Sequence, residues 1–375
     1  MKILFIANRA EVFSGGQISL LELVANLDRN KIEPVVLCPG KGQIYERTQA
    51  MGITSLVWDM PTAKTLDLFR MFDRVSKLRS IIKAQNADIV HTNGSRAQFY
   101  AALARRGTQA KLVWHLREST PDIFLYDWFI AKSADMIVCV SNGTAQKRIT
   151  SRFPMFADKT EVVYNGVDTE TFKRNATSRE KVRDELGVKN EDILIGLIGL
   201  IIPQKGHQIL LKALSVLIED HPNIKLLVMG RSIDAAYLER VKTMANQLGL
   251  GPNVFISGQR DDMVSVLSAL DIFALPSQGE GFSRVLIEAM SVGLPVIATD
   301  VSGNNEAITK ETTGFLVPYG DVYLLAEDIQ KLINNRRMAI NMGLSARKRV
   351  EENFSMREHV SGMQKIYGKL KEGTS

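Results

Sequence analysis

The sequence contains little cysteine and no long hydrophobic segment. Its two cysteines, Cys38 and Cys139, each lie inside an apolar run with the pattern of a strand. Two thiols are too few for a disulfide framework or a cysteine metal site, so we expect both to be reduced residues of the core. The longest apolar run, Ile193 to Ile202, is about half of the roughly 20 residues that a transmembrane helix needs, and it predicts a buried strand.

The amino-terminal residues lack the pattern of a secretion signal. The apolar segment after Lys2 ends at Ala7, and no cleavage site of small residues follows it. Hydrophobic residues make up 45% of the 375 residues and charged residues 23%, which excludes disorder for most of the chain. We therefore expect a cytoplasmic globular protein of two domains, since a domain has roughly 150 residues.

Positive charge is concentrated in one half of the chain. The formal net charge is +6, and residues 1–168 hold 22 Lys and Arg against 16 Asp and Glu, whereas residues 169–375 hold 25 of each. Ten of the basic residues lie within residues 66–117, together with three acidic residues. A nucleic-acid-binding protein that is basic along its whole length would not be neutral over its second half. No nucleic acid partner is therefore expected.

A predicted helix inside residues 66–117 carries part of this charge. Apolar residues recur there at helical spacing, and Arg70, Arg74, Lys77 and Lys83 collect on the opposite side. One interpretation is an ordinary solvated helix face. The other is a surface that contacts an anionic ligand, either a phosphorylated small molecule or a lipid-linked one at a membrane surface, where each basic residue near an anionic bilayer adds on the order of 1 kcal/mol.

Apolar strand-like runs alternate with helical patterns along the chain. The alternation starts with the run after Lys2, stops in the polar segment 169–190, and starts again at Ile193. Because each run is continuously apolar, the runs indicate parallel strands that helices cover on both faces. The predicted fold class is therefore α/β, with two such domains in tandem.

The interruption of this alternation sets the expected domain boundaries. We expect a first domain in residues 1–170 and a second domain in residues 171–355. A final helical segment, about residues 356–375, has no strand after it, and we expect it to pack back on the first domain.

The segment Pro276 to Met290 is the most informative part of the chain. A strand end, a glycine-rich loop and a helix that begins near Ser283 follow one another, and the unpaired N–H groups of such a helix start suit a phosphate. Glu280 precedes this helix. Glu288 lies about two turns later in an apolar helix pattern, where a buried carboxylate needs a partner. The alternative is a capping glutamate and a solvated one.

Lys205 lies in a second loop with possible ligand-binding chemistry. This loop follows the strand that begins at Ile193, and open α/β sheets bind ligands beyond the carboxyl ends of their strands. The alternative for Lys205 is an ordinary solvated lysine, because most loop lysines have no other role.

Five segments of the sequence follow one another in the order of a known signature set. They are Tyr164 to Asp168, the Lys205-Gly206 loop, Leu275 to Ser277, Glu280 to Glu288 with the residues through Val296, and Gly303 to Glu306 followed by Gly314 to Val317. Together they resemble the signatures of the retaining glycosyltransferases of family 4. The resemblance covers nearly the whole chain, and ordered matches at five places make it specific.

The resemblance implies a GT-B fold, two tandem Rossmann-like domains with the active site in the interdomain cleft. It also implies that Glu280 holds hydroxyls of the transferred sugar and that Glu288 holds the ribose hydroxyls of a nucleotide. Lys205 would bind the diphosphate. Gly15 and Gly16 would bring backbone N–H groups of the first domain to the same phosphates.

The resemblance extends to further residues near the donor. Gly281, Phe282 and Ser283 join the implied donor-binding residues. His115 matches the family's histidine near the sugar, which makes it a candidate catalytic residue together with Glu280 and Lys205. A satisfied histidine at a strand end is the alternative, and for His91, which matches less well, a structural role is favoured.

The sequence departs from the family pattern at two places. The family usually has an arginine directly after the glycine at position 199, and here that residue is Leu200. Another cation would then complete the diphosphate site, and Arg231, Arg260 and Arg284 are the candidates. The family's paired glycines before the glutamate at position 306 are Ser302-Gly303 here, a difference that concerns the sugar side of the site.

The expected reaction is transfer of a sugar from a nucleotide diphosphate, most commonly UDP, to an unknown acceptor in glycan or glycoconjugate biosynthesis. The chain has no Asp-x-Asp pair, so no metal and no cofactor is expected, and a lysine and helix amides would stabilise the leaving diphosphate. The alternatives are a phosphorylase or an isomerase on the same fold and a non-catalytic sugar-nucleotide-binding protein. Product analysis separates these possibilities.

Overall fold

The structure, a computed structural model, describes residues 1–60, 68–118 and 123–372, with the backbone alone at 68–70. The chain divides into two compact units. The first unit joins Met1–Gly166 to the C-terminal helix that begins at Met356, and the second is Val167–Ser355. Each unit is built on one parallel sheet, so the predicted α/β class with two Rossmann-like domains is confirmed.

The first unit contains a seven-stranded parallel sheet with strand order β3-β2-β1-β4-β5-β6-β7. Its strands are β1 Lys2–Ile6, β2 Glu33–Cys38, β3 Thr54–Val57, β4 Ile89–Asn93, β5 Lys111–Leu116, β6 Met136–Cys139 and β7 Thr160–Val162. The helices between them are α1 Gly15–Asn26, α2 Gln43–Ala50, α3 Leu68–Ala84, α4 Ser95–Ala104, α5 Phe124–Ser133 and α6 Asn142–Ala145. The chain reverses its winding between β1 and β4, where an open sheet of this kind leaves a crevice.

The second unit repeats this plan in a six-stranded parallel sheet of order β10-β9-β8-β11-β12-β13. Its strands are β8 Ile193–Ile198, β9 Ile224–Met229, β10 Val254–Ser257, β11 Ile272–Leu275, β12 Val296–Thr299 and β13 Phe315–Val317. Its helices are α7 Ala176–Leu186, α8 His207–Leu217, α9 Ala235–Gln247, α10 Met263–Ala269, α11 Arg284–Ser291, α12 Asn304–Ala307, α13 Val322–Asn334 and α14 Arg336–Asn353. The reversal lies between β8 and β11.

The last helix, α15 (Met356–Glu372), belongs to the core of the first unit. Met363 and Tyr367 are fully buried on its apolar face, in the same cluster as Ile3 and Phe5 of β1. Burial of apolar side chains at about 25 cal/mol per Å² makes this face a substantial part of the unit's stability.

The observed elements differ from the predicted ones in places that have a physical reason. The apolar run that begins at Ile193 ends as a strand at Ile198, because Gly199 has φ +149°. β3 was not predicted, since no side chain in it is buried and its pattern is therefore not apolar. Residues 66 and 67, the start of the basic range 66–117, lie outside the described residues.

The structure bears on the predictions made from the low cysteine content and from the lack of a long hydrophobic segment. Cys38 and Cys139 are free and buried, as predicted, and burial raises the pKa of each thiol to about 12. In the described ranges, no helix is both long enough and apolar enough to cross a bilayer.

Candidate active site

Lys205 and Glu280 form an ion pair at one edge of the second sheet. Each residue follows the carboxyl end of a strand, β8 or β11, and these two strands are hydrogen-bonded neighbours, so their ends meet at the same edge. The Nζ atom of Lys205 donates a hydrogen bond of 2.6 Å to Oε1 of Glu280. The two side chains are only 18% and 11% exposed, so each charge is largely withdrawn from water. The structure therefore brings together two of the predicted catalytic residues.

Gly206 fixes the position of the lysine loop. Its backbone has φ +75°, and a Cβ atom built on it would lie 2.0 Å from the carbonyl oxygen of Pro276. The amide of Gln278 also donates to the carbonyl of Gln204 at 2.8 Å. A glycine is thus needed for the loop after β8 to pack this closely on the loop after β11, and this packing sets the place of Lys205.

The loop before α11 is fixed in a similar way. Gly281, Phe282 and Ser283 lead into the helix, with Ser283 as the residue before its first turn. Phe282 is buried and its ring centroid lies 5.1 Å from that of Phe354. Gly303 has φ +89°, and a Cβ atom there would lie 2.4 Å from the carbonyl oxygen of Gly281. The first amides of α11 are consequently presented at the sheet edge near Glu280, where the helix dipole favours an anion.

Glu288 is buried on α11 and pairs with a residue of the same helix. Its Oε1 atom lies 2.7 Å from Nε of Arg284, and both side chains are 7% exposed. A buried carboxylate costs several kcal/mol unless a cation compensates it. The sequence predicted that Glu288 needs a partner, and Arg284 is that partner.

The other two candidates for the missing cation lie in different surroundings. Arg260 pairs with Asp262 and Glu185 at 2.7 and 2.9 Å. Arg231 follows β9, and its carbonyl accepts a hydrogen bond of 2.9 Å from the amide of Ile201, the residue after Leu200. Of the three candidates, Arg231 is therefore the one that lies beside the position where the family has its arginine.

Arg231 also lines a cavity in the second unit. The cavity measures about 520 Å³ and lies beyond the ends of β8, β9 and β10. Its apolar wall includes Ile201 and Leu238, and polar groups come from Ser232, Lys242 and Gln259. The combination of apolar walls and a few polar groups is typical of a small-molecule site.

Gly15 and Gly16 are the first two residues of α1 in the first unit. The side chain of Asn93 donates a hydrogen bond of 3.2 Å to the carbonyl of Gly16. A Cβ atom on Gly16 would lie 3.3 Å from Cδ of Arg117, so a larger residue would press on that side chain. The two glycines thus place the first amides of α1 at the carboxyl edge of the first sheet, as a site for an anion requires.

His115 is fully buried at the end of β5 and contacts His91 of β4. The Nδ1 atom of His115 lies 3.3 Å from Nε2 of His91 and 3.4 Å from Nη2 of Arg117. Burial, and after it the charge of Arg117, hold the pKa of both imidazoles well below the usual value for histidine. Both rings are therefore neutral at pH 7.

Sequence reasoning missed several residues around these histidines. Arg117 donates to the side-chain oxygens of Asn93 and Asn165 at 2.5 and 2.7 Å, which ties together the segments after β4, β5 and β7. The hydroxyl of Tyr367 lies 2.8 Å from Nδ1 of His91. Arg117 could have been identified from the sequence, because it is a charged residue directly after an apolar strand. No feature of the sequence near Tyr367 indicates that it contacts β4.

Side chains that could bind a metal ion do not cluster in the part of the chain that the structure describes. Within those residues, no group of three or more His, Cys, Asp or Glu side chains has the geometry of a metal site.

Comparison with known protein families matches both halves of the chain. The family model described as glycosyl transferases group 1 matches residues 178–349, and the model described as glycosyltransferase family 4 matches residues 13–171. The two matches fall largely on the second and the first unit, respectively.

Individual relatives and solved structures align over most of the chain. The capsular polysaccharide biosynthesis glycosyltransferase CapM of Staphylococcus aureus is 28% identical over 336 residues, which cover 84% of this chain and 86% of that protein. The UDP-Gal:alpha-D-GlcNAc-diphosphoundecaprenol alpha-1,3-galactosyltransferase of Escherichia coli is 24% identical, with 95% and 94% covered. A crystal structure of Anabaena HepE in complex with UDP and glucose has a TM-score of 0.86 at 22% identity, with 98% and 99% covered, and shows a common fold.

Proposed function

Since this chain belongs to the group 1 glycosyltransferases of family 4 and is a nucleotide-sugar-dependent glycosyltransferase, we propose that it transfers the sugar of a UDP-sugar with retention of configuration and without a metal ion. The family and the enzyme class predicted from the sequence are confirmed. They favour the transferase over the phosphorylase, isomerase and non-catalytic alternatives.

The observation that carries this proposal is the ion pair of Lys205 and Glu280 beside the start of α11. An ammonium group has three N–H donors, and Glu280 occupies one of them, so the others are available to oxygens of a diphosphate. Negative charge grows on the diphosphate as its bond to the sugar breaks. A fixed lysine and the first amides of α11 stabilise that charge without reorganising, which is the most effective form of electrostatic catalysis.

Glu280 has the complementary role toward the sugar. A carboxylate accepts hydrogen bonds from hydroxyl groups, and the hydrogen bond from Lys205 fixes the orientation of this one. In this proposal Glu280 holds hydroxyls of the transferred sugar while Lys205 holds the phosphate that leaves it. The ion pair then sets the distance between the two groups that separate in the reaction.

The nucleoside would lie further along the same sheet edge. Glu288 accepts the ribose hydroxyls, and its ion pair with Arg284 fixes its orientation. The base occupies the cavity that Arg231 and Gln259 help to line. Uridine is proposed because HepE structures contain UDP or UDP-glucose and the Escherichia coli relative is named for UDP-galactose.

The first unit has residues that could bind a donor by themselves. The amides of Gly15 and Gly16, at the start of α1, are proposed to bind phosphate, and His115 to contact a sugar. Arg117 supports this arrangement because it packs against Gly16 and hydrogen-bonds His115 at the same time.

A panel of nucleotides tests the donor. Ligands that bind only the folded state raise apparent stability by mass action, so a thermal-shift series over nucleoside diphosphates and their sugars should give its largest shift with UDP and one UDP-sugar. Proton NMR of the product then reports the anomeric configuration. A preference for a guanosine or adenosine diphosphate sugar, or a product of inverted configuration, would contradict the corresponding part of the proposal.

We further propose that the acceptor is anionic or lipid-linked and that residues 66–117 contact an anionic membrane surface. Part of the charge in this range is compensated, since Arg74 and Lys77 each pair with an aspartate at 2.8 and 2.9 Å. The side chain of Arg70 lies outside the described part of the structure. Lys83 is exposed and adds positive charge at the end of α3.

Exposed apolar side chains at the start of α5 supply a second property that a membrane contact needs. Ile123 and Leu125 are 77% and 74% exposed. Next to them on the helix, the ammonium of Lys132 lies 4.7 Å from the ring centroid of Trp128. Apolar residues bordered by tryptophan and lysine suit the boundary between lipid tails and head groups.

Sedimentation with vesicles separates the two contributions. Wild-type protein should pellet with anionic vesicles at low salt and less at high salt, because salt screens the charges. A Lys77→Ser/Lys83→Ser variant should lose the salt-dependent part, and an Ile123→Ser/Leu125→Ser variant the salt-independent part. Protein that stays in the supernatant at low salt would exclude the membrane contact and leave a soluble anionic acceptor.

A further inference from the structure

Four side chains of the first unit form one continuous chain of polar contacts. The hydroxyl of Tyr367 on α15 lies 2.8 Å from Nδ1 of His91, and Nε2 of His91 lies 3.3 Å from Nδ1 of His115. Nη2 of Arg117 lies 3.4 Å from the same Nδ1 atom. Tyr367, His91 and His115 are each 0% exposed, so water does not compete for these contacts.

The direction of every hydrogen bond in this chain can be inferred from its arginine end, although that contact of 3.4 Å is weak and the contact of 2.8 Å from Tyr367 is needed to maintain the same directions. A guanidinium only donates, so Nδ1 of His115 must accept. His115 is neutral, and its single ring proton therefore lies on Nε2. The contact from His91 must then be a donation from Nε2–H, which leaves Nδ1 of His91 to accept from the Tyr367 hydroxyl. Two donors share one lone pair on His115, in agreement with the two rather long distances.

The remaining nitrogen of His115 is the end of the chain. Among the described residues, its Nε2 atom has no hydrogen-bond partner although it is fully buried. An unpaired N–H inside a protein costs about 1–3 kcal/mol, so such a group usually has a ligand or a functional reason.

We propose that Tyr367 and His91 are positioning residues that hold His115 in the Nε2–H tautomer, so that His115 donates a hydrogen bond to an oxygen of the donor sugar. In this state His115 has no basic nitrogen toward the substrate and is not the base of the reaction. The identity of the substrate rests on the proposed function, whereas the tautomer rests on the contacts of the first unit alone.

The tautomer is measured directly by ¹⁵N NMR of histidine-labelled full-length protein. In the wild type, His115 and His91 should each show a protonated Nε2 and an unprotonated Nδ1. Tyr367→Phe removes the donor to His91, and both rings should then show a mixture of tautomers. A protonated Nδ1 on His115 in the wild type would overturn the proposal, as would unchanged signals in a folded Tyr367→Phe variant.

Kinetics test the consequence for the substrate. The side-chain N–H of glutamine lies close to the place of a histidine Nε2–H and cannot act as a base. His115→Gln should therefore keep a measurable part of the turnover, while His115→Leu should lose most of it. Equal loss in both variants would overturn the donor role.

Tyr367→Phe provides a readout that a purely structural role would not give. It should lower kcat roughly three- to tenfold, the range of one neutral hydrogen bond, with KM for the sugar nucleotide unchanged. Tyr100→Phe, at another buried tyrosine of the first unit, should leave kcat unchanged. Absence of any transfer by the wild type would contradict the proposed function but not the tautomer, which NMR still reports.

Discussion

At the scale of single residues, the site is organised around compensated charges. The ammonium of Lys205 and the carboxylate of Glu280 neutralise each other while both are mostly buried. The same holds for Arg284 and Glu288 on α11. In the proposed function both members of the first pair contact substrate, whereas in the second pair Arg284 orients Glu288.

We predict that Lys205→Ala lowers kcat by roughly 100-fold or more, the scale of losing one preorganised charge. Glu280→Gln keeps the shape of the side chain but removes the carboxylate that holds the hydroxyls of the sugar. This variant should therefore also lose transfer. Initial rates at saturating donor measure both effects. Lys212→Ala, an exposed lysine on α8, is the control and should be as active as wild type. Near-normal turnover of Glu280→Gln would remove the central role assigned to that residue.

We predict that Glu288→Gln acts on nucleotide binding more than on turnover. A carboxylate accepts two ribose hydroxyls better than an amide does, so the Kd for UDP should rise roughly tenfold, the equivalent of about 1.4 kcal/mol. Isothermal titration with UDP measures the change, and Glu219→Gln, at an exposed residue two positions after α8, serves as control. An unchanged Kd with reduced kcat would place Glu288 near the sugar instead.

The environment of Leu200 leads to a prediction about the missing cation. Arg231 lies beside this position, whereas Arg260 pairs with two carboxylates elsewhere. Arg231→Ala should therefore raise KM for the sugar nucleotide roughly tenfold or more, on the scale of a charge-assisted hydrogen bond, and Arg260→Ala should not. The opposite ranking would assign the diphosphate to Arg260.

Only part of this arrangement can be predicted from the sequence. The apolar helix pattern around Glu288 correctly indicates a buried carboxylate, and helical spacing offers Arg284 as a neighbour. The contact between Tyr367 and His91 joins residues 276 positions apart, and no local pattern in one sequence carries such a pairing. The roles in substrate binding stay predictions until the variants are measured.

At the scale of secondary structure elements, close backbone contacts hold the site loops. Gly206 and Gly303 each lie where a Cβ atom would overlap a carbonyl oxygen of a neighbouring loop. The loops that carry Lys205 and the start of α11 are consequently fixed by packing and not by their own sequence preferences. The glycines can be noticed in the sequence, but the loops they contact cannot.

The strands were easier to predict than these contacts. Continuous apolar runs correctly indicated the buried strands, because a parallel strand covered on both faces has no polar side. The strand that begins at Ile193 ends at Ile198, four residues before the end of its apolar run, where Gly199 interrupts the ladder. The edge strand β3 has no buried residue, so its pattern resembles that of a loop.

The first residue of α8 leads to a prediction about pH. Burial lowers the pKa of His207 to about 4, whereas an unfolded histidine has a pKa near 6.5. The unfolded state therefore binds the proton first as pH falls. The contribution of neutral His207 to the free energy of unfolding, at most about 3 kcal/mol, is complete above pH 6.5 and is lost toward pH 4.

Urea unfolding at a series of pH values between 7 and 4.5 measures this loss. His207→Gln should show a weaker dependence of the unfolding free energy on pH than wild type, while His91 and His115 still contribute in both proteins. Identical pH dependence in the two proteins would show that His207 has the same pKa in the folded and unfolded states, which would contradict the prediction.

At the scale of the whole molecule, the proposed chemistry uses fixed cations and amides of the protein. We predict that a sample treated with EDTA and then freed of the chelator keeps its full transfer rate. The physical reason is that Lys205 and the helix amides supply the charge that a Mg²⁺ ion would otherwise supply. Complete loss of activity with recovery on addition of Mg²⁺ or Mn²⁺ would contradict this prediction.

The position of α15 has a consequence for the order in which the protein forms on the ribosome. Domains generally fold in the order of their synthesis, the amino-terminal one first. Here the core around Ile3 and Phe5 includes Met363 and Tyr367, which are translated only after the entire second unit. The second unit is continuous in sequence and can fold while translation proceeds. The first unit, although most of it is synthesised first, therefore finishes folding last. Until then it exposes the apolar surface that α15 later covers, and molecular chaperones can bind there.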